Sequence, residues 1–402
     1  VSIDVSMLLD CDWNSRFMLS YMFDTNILRT IYGFEQRAAL LGWPRKTVKY
    51  NVAFMSQADY AYFMRTMRNY QGQVFGVPIW GQQGVLTAQA PASQFYVDLT
   101  GVDQMDFEVG ANCVVYADRD TYDIREISSM TSTRLNFSVG LSNTWPIGST
   151  VYPMIHGTVE QNIPLQKRTS AYGGASLVFK EAWDDDITHG LGSHTFPEYQ
   201  GYSVLDTEPN WAGNVRLSIA RASEYLRNFG VQIRYTREQE SELQLDLGYL
   251  WAGIDECAEI RGFFHDCRGK WRQFWCPSWQ RDIEITGAIA PADDFLTIED
   301  IDYSASWAIS HIIGKYLFLM LPDGTKLYRK VIGWPSATQL NLSSAVGHTV
   351  PASQAHLTLA SFLLPSRFEV DEMEMTYHRP HVVTTRVRMQ SLMDENMTTT
   401  TT

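Results

Sequence analysis

Cysteine is scarce in this chain. Five are present among 402 residues, Cys11, Cys113, Cys257, Cys267 and Cys276. An odd, sparse set excludes a disulfide framework and points to reduced thiols in a protein made in a cytoplasm. Long apolar runs are also missing. The longest, Tyr316-Leu317-Phe318-Leu319-Met320-Leu321, is far too short for a membrane-spanning helix. The start, Val1-Ser2-Ile3-Asp4, has neither the basic residues nor the apolar stretch of a signal peptide. Positive charge is in deficit, with 32 Lys and Arg against 45 Asp and Glu and a net charge of −13, which argues against a broad nucleic-acid-binding surface. Global disorder is excluded by a hydrophobic content of 45%, enough for a sizeable core.

Catalytic signatures are absent as well. There is no Gly-x-Ser-x-Gly elbow, no phosphate-cradling Gly-Lys-Ser/Thr loop and no His-Glu-x-x-His helix. Carboxylates are many, but none recurs as an obvious acid and base. The spacing of Cys257, His265, Cys267 and Cys276 is not a zinc pattern, and a core role for the thiols is expected. Asp184-Asp185-Asp186 lacks the alternating ligands of a calcium loop and reads as a solvated linker, and His189 and His194 beside it carry no metal pattern. No cofactor and no enzymatic activity are expected.

What is present is repetition. Tyr60, Phe63, Met67 and Tyr70 step by three, four and three, which places them on one face of a helix. Cys257, Ile260, Phe264 and Cys267 do the same 197 positions later. Ser56 with Asp59 forms a capping pair before the first helix, and Asp255 and Glu256 bring negative charge to the positive end of the second. Gly72 and Gly269 stand where a left-handed cap is wanted. Phe75, Pro78 and Trp80 are then matched by Phe274, Pro277 and Trp279 at a shift of 199. Trp13, Leu19, Ser20, Leu28 and Arg29 map onto Trp211, Leu217, Ser218, Leu226 and Arg227 at a shift of 198, and Leu135-Asn136-Phe137 onto Leu340-Asn341-Leu342 at 205. Ordered matches at slowly drifting shifts imply an internal duplication.

Along the chain, Val48, Tyr50, Val52 and Phe54 alternate as on a half-buried strand, as do Leu243, Leu245, Leu247 and Tyr249. Pro78 and Pro277 place the strands after the helices at a sheet edge or a strand end. Short β-like runs fill 85–155 and 283–364, with a hairpin signal at Pro322-Asp323-Gly324. Ser176–Lys180 and Thr384–Met389 close the two copies, and Glu369, Asp371, Glu372 and Glu374 alternate with Val370, Met373 and Met375. The expected class is mainly β (α+β): two tandem similar units, each a β-sandwich or barrel with a flanking helix and an inserted small β subdomain. The first unit is placed at 1–183 (insertion about 85–155), a linker at 184–204, the second unit at 205–397 (insertion about 283–364) and a Thr-rich tail at 398–402.

The order of strand, aromatic helix, Gly-Lys/Gln turn and Phe with Pro-x-Trp, with Pro44-Arg45 ahead of the first block, resembles tail-tip proteins of long-tailed bacteriophages, of the distal tail and baseplate hub type. The second copy has Glu240-Ser241-Glu242 in place of Pro-Arg. The resemblance implies a tail-tube-like fold and a ring joining the sixfold tube to a threefold tip. A duplicated subunit adds that three copies can present six similar units, so a trimer with pseudo-sixfold symmetry is favoured and a hexamer is the alternative. The implied partners are the tail tube protein and other tail-tip, tape-measure or fibre proteins, in a virion assembled in the host cytoplasm, with no membrane and with DNA only in transit. Candidate interface residues are Trp80, Trp275, Trp279 and the basic group Arg268, Lys270 and Arg272. For that group, with Arg261, a solvated helix end and a contact with an acidic neighbouring subunit are equal readings. The competing functions are a host-surface carbohydrate-binding virion protein, using exposed aromatics, and a cell-wall hydrolase.

Overall fold

The computed structural model describes residues 3–29, 35–167, 169, 172–182, 195–213, 215–221, 223–228, 231–236, 241–307 and 313–392, with the backbone alone between 223 and 236. It is mainly β, built on a large antiparallel sheet.

In the N-terminal half, β1 (Phe17–Met22) leads into a hairpin of β2 (Thr25–Arg29) and β3 (Glu35–Ala39), then β4 (Arg45–Phe54), helix α1 (Gln57–Tyr70) and β5 (Phe75–Pro78). After a run of short strands come β6 (Thr150–Val159), β7 (Leu165–Lys167) and β8 (Gly173–Glu181). In the C-terminal half, β9 (Arg216–Ala220) leads into a hairpin of β10 (Ser223–Asn228) and β11 (Val231–Thr236), then β12 (Glu242–Trp251), helix α2 (Ile254–Cys267) and β13 (Phe274–Pro277). The half ends with β14 (Leu359–Phe368), β15 (Glu372–Arg379) and β16 (Val382–Ser391).

The expected alternation is realised. Val48, Tyr50, Val52 and Phe54 are buried on β4, and Leu245, Leu247 and Tyr249 on β12. On β15, Met373 and Met375 point inward while Glu372 and Glu374 face water. Both helices have 14 residues. The α1 entry is a capping box, in which the Ser56 hydroxyl accepts from the Asp59 N–H at 3.1 Å and the Asp59 carboxylate accepts from the Ser56 N–H at 3.1 Å. Gly72 is left-handed after α1 at φ 94°, as expected, and after α2 the expected left-handed Gly269 is preceded by a second left-handed residue. Arg268 itself takes the left-handed conformation at φ 49°, followed by Gly269 at φ 63°. Pro78 and Pro277 each close a strand, where a missing N–H interrupts no further ladder.

The backbone pairing runs through eight strands without a break, in the order β9–β12–β16–β15–β1–β4–β8–β7, each step antiparallel. The two halves branch alike. The side of β8 away from β4 is shared by β7 and β6, and the side of β16 away from β12 is shared by β15 and β14. β6 then pairs with β5, and β14 with β13.

The intervening strands, Tyr96–Asp98, Asn112–Asp118, Thr121–Thr131 and Arg134–Phe137, enclose a separate apolar cluster around Leu86, Val97, Cys113, Leu135 and Trp145. Their C-terminal counterparts in order, Phe295–Thr297, Tyr316–Met320, Lys326–Ser336 and Gln339–Leu342, share the main core instead. The turn at Pro322-Asp323-Gly324 joins two of these strands, with Gly324 at φ 84°. Within the stretch read as a linker, Glu198–Tyr199 pairs with Tyr202–Ser203, and Phe196 and Tyr199 pack on Phe263 and Trp275. Asp184 to Asp186, His189, His194 and the tail from 398 lie outside the described residues.

The capping box gives a direct check on the helix reading. Ser56→Ala removes the side-chain acceptor at the positive end of α1 and is expected to lower stability by about 1 kcal/mol. Urea unfolding measures it; an unchanged midpoint would refute the cap's contribution.

Candidate interaction site at the seam between the halves

The two halves meet where β1 finds partners on both of its edges. On one side lies β4 of its own half; on the other lies β15, with Phe17 opposite Tyr377, Leu19 opposite Met375 and Tyr21 opposite Met373. The ladder continues past β1, because the Phe23 N–H donates to the Asp371 carbonyl at 2.8 Å. In an antiparallel pair, hydrogen-bonded and non-bonded positions alternate. The Phe23–Asp371 bond therefore assigns the outward peptide groups of β1 to Phe17, Leu19 and Tyr21.

Side chains lock the ladder. Asp371 accepts from the Thr25 N–H at 3.0 Å, the Thr25 hydroxyl at 2.9 Å and the Lys270 N–H at 2.8 Å, and the Lys270 ammonium lies 3.2 Å from it. The chain packs closely here. A Cβ on Gly269 would stand 2.5 Å from an Asp371 carboxylate oxygen, and one on Gly81 would stand 2.5 Å from the Tyr377 ring. The β2–β3 hairpin lies over the C-terminal half. Arg29 pairs with Glu242, and Glu35 takes a two-pronged bond from Arg367 at 2.8 and 2.9 Å.

At the centre is a buried polar cluster. Arg261 of α2 lies 3.3 Å from the Asp106 carboxylate and donates to the Gln104 carbonyl at 2.9 Å. The Tyr21 hydroxyl donates to the same carboxylate, as does Gln82 Nε2 at 2.8 Å, while the Asp106 N–H donates back to Gln82 Oε1 at 2.6 Å. The Tyr21 ring rests edge-on against His265 of α2 at 5.0 Å, and the Phe23 ring lies tilted against Phe264 at 5.6 Å. Burial works against ionising Asp106, but Arg261, Lys46, the Tyr21 hydroxyl and His265 outweigh it, and the carboxyl falls to about 2. Burial likewise opposes the Arg261 charge, and Asp106 with its neighbours holds the guanidinium above its ordinary range.

The seam redistributes the sequence candidates. Trp80, Trp275 and Trp279 are buried within this chain, so they present no surface to another copy. Trp80 packs on Tyr116 and Tyr152, Trp275 on Tyr199 and Tyr316, and Trp279 on Phe318. Of the basic group, Lys270 reaches the seam through Asp371, Arg272 pairs with Asp266 at 2.9 Å on the surface, and Arg268 stacks over Trp271. Arg261 pairs with Asp106 of its own chain rather than with a neighbouring subunit. Sequence reasoning missed Asp106, Tyr21 and Glu35, and read Asp371 only as one of the water-facing acids of an alternating strand, whereas it binds Thr25 and Lys270 in the seam. No motif surrounds them, and the only signal was Arg261 on the apolar side of its helix. The cysteines are buried, and burial pushes Cys257 up to about 11 and Cys11 up to about 12, so neither is a thiolate near neutrality.

Two consequences follow for stability. Asp106→Asn leaves the Arg261 charge buried without its counter-ion and is expected to cost about 3–5 kcal/mol, read by urea unfolding. Acid acts in the same sense. The Asp106 carboxyl sits near 2 in the folded chain against 3.8 ordinarily, so its contribution is complete above about pH 4 and is lost as pH falls through 2. Glu35 is shifted down as well: burial opposes its charge, but Arg367 overcomes it. A stability–pH profile that is flat from pH 5 to 2 would contradict this. The sequence matches no protein-family model and no curated protein.

Proposed function

We propose that this protein is a structural subunit of a bacteriophage tail tip, a ring-forming distal tail or baseplate hub protein that links a sixfold tail tube to a threefold tip. One observation carries the reading: the two halves share an element order and are joined head to tail, through unlike faces. β4 and β12, α1 and α2, β5 and β13, and β6 and β14 have equal lengths in pairs and follow one another in the same order. The edge of β1 and the hairpin after it belong to one half. The edge of β15 and the outer face of α2 belong to the other. A contact of this kind does not close on itself, unlike a twofold contact; repeated by rotation, it builds rings.

A duplicated subunit fits a junction of symmetries. Three chains supply six similar units to the tube and three distinct chains to the tip. The burial of Trp80, Trp275 and Trp279 also takes three of the aromatics out of consideration for a glycan site, which leaves the carbohydrate-binding alternative less to work with. The partners are further copies of the chain, the tail tube protein and neighbouring tail-tip, tape-measure or fibre proteins, and no catalytic step is assigned.

The test is native mass with symmetry from particle class averages, on purified protein and on protein mixed with tail tubes. At 45.8 kDa per chain, a trimer is expected near roughly 137 kDa, with sixfold-like views. A hexamer would keep the ring and remove the symmetry argument. A protein that stays monomeric even with tubes, and that titrates with host-surface glycan, would replace this reading by the carbohydrate-binding one.

A further inference from the structure

Among the described residues the eight-strand path ends in two unpaired edges, β9 at one end and β7 at the other. Among the described residues, β9 pairs only with β12 and β7 only with β8. These two strands hold the places in their halves that β1 and β15 hold at the seam. β9 corresponds to β1 at a shift of 198, so Leu19 and Tyr21 become Leu217 and Ile219. The match of β7 to β15 follows from register. Gly173 lies opposite Phe54, and Val383 opposite Trp251, the counterpart of Phe54. Leu165 lies opposite Ala175, and Met375 opposite Thr385. Leu165 therefore holds the place of Met375, and Lys167 that of Tyr377.

We propose that the seam recurs between copies of this chain: β9 of one copy pairs antiparallel with the β7 edge of the next, Leu217 opposite Leu165, Arg216 opposite Gln166 and Ile219 opposite Ile163. This rests on the duplicated, ring-forming reading above and specifies its joint.

Three observations support the match. The first is peptide geometry. The Ser176 N–H donates to the Pro164 carbonyl, so Pro164 and Gln166 face β8 and the peptide groups of Ile163, Leu165 and Lys167 face outward. On β1 the outward positions are Phe17, Leu19 and Tyr21, which map onto Val215, Leu217 and Ile219. The two free edges thus offer donors and acceptors at the positions that the transferred register brings together. Pro164 does not obstruct the joint, because its missing N–H would have pointed at β8.

The second is burial. Leu19 and Tyr21 are fully buried, whereas Leu217 and Ile219 are 36% and 72% exposed. Two apolar residues on an unpaired edge are a liability for a lone chain. The third is the helix. α2 buries nine residues and α1 only three, although the two have the same length and position. The excess on α2 includes Arg261 and His265, on the side that β1 of the other half covers. The same side of α1 carries Met64 and Arg68. Beside it a cleft of about 310 Å³ opens between Phe54, Tyr60, Leu165 and Lys167, next to the proposed joint.

The joint differs from the seam in chemistry. Tyr21 is replaced by Ile219, Arg261 by Met64 and Asp371 by Gln161. The buried ion pair and the carboxylate clamp have no counterpart, so the joint is an apolar ladder and is expected to resist salt.

Arg216 and Gln166 are exposed and form a non-hydrogen-bonded pair in the proposed register, with Cα atoms about 4.5 Å apart, within the range of a disulfide. The full-length double variant R216C/Q166C, oxidised on the assembled protein, is expected to give a disulfide-linked ladder that ends at the ring size, unchanged in 1 M salt. R216C/L165C puts the two thiols on opposite faces and is expected to give none. Ile219→Lys is expected to reduce assembly at least tenfold while the circular dichroism melt of the monomer stays put. A ring of the expected mass that gives no ladder with R216C/Q166C, or equal ladders with both pairs, overturns the joint and leaves the ring. A protein that stays monomeric even with tail tubes and gives no ladder overturns both.

Discussion

A strand with an open edge exposes a row of peptide groups that water or another strand must satisfy, and β1 is the strand on which this chain resolves that demand. It has β4 on one side and β15 on the other. Because β15 comes from the far end of the sequence, the single ladder step from β1 to β15 fixes how the halves sit. Thr25 and Asp371, 346 positions apart, are bonded as a result. The hairpin lying over β12 and β14, the aromatic packing of Tyr21 and Phe23 on α2 and the burial of Asp106 against Arg261 all depend on that step.

What the sequence disclosed was local. The helix-period steps of Tyr60, Phe63, Met67 and Tyr70 and the alternation along β4 and β12 are short-range patterns, and the elements sit where those patterns put them. The capping pair at Ser56 is equally local. The seam was not legible, for a physical reason. A strand edge carries no side-chain signature, since pairing is made by peptide groups that all residues share. β1 and its hairpin mix aromatic and polar residues and show no strand-like alternation. The buried charges were hidden for a related reason. Arg261 stands among Arg268, Lys270 and Arg272 in sequence, yet its helical position turns it toward Asp106 while Arg272 remains at the surface.

The tryptophans teach the complementary lesson. Trp80 and Trp279 recur at matching places because each anchors the core of its own half, one against Tyr116 and Tyr152, the other against Phe318. Recurrence identified positions the fold needs. It did not distinguish a fold position from an interface position, because an aromatic ring loses the same water in either. Exposure makes the distinction, and it moves attention to Leu217, which recurs without being aromatic, and to Ile219, which belongs to no motif at all.

The contrast between the ionic seam and the proposed apolar joint has a consequence for the proposed assembly. A chain with two similar halves presents two β1-like edges and two β15-like edges, so wrong pairings are available in which β15 of one copy takes β9 of another. If all four edges were apolar, these alternatives would be nearly equal in energy. The Asp106–Arg261 pair separates them. Setting α2 against β9 would bury Arg261 opposite Ile219, away from the Asp106 carboxylate, and an uncompensated buried charge costs about 3–5 kcal/mol. That is a discrimination of more than a hundredfold for each wrong contact. The pair adds less by attraction than by making one partner acceptable, so the intrachain seam closes correctly as the chain folds and, in the proposed ring, the apolar edges remain for the next copy.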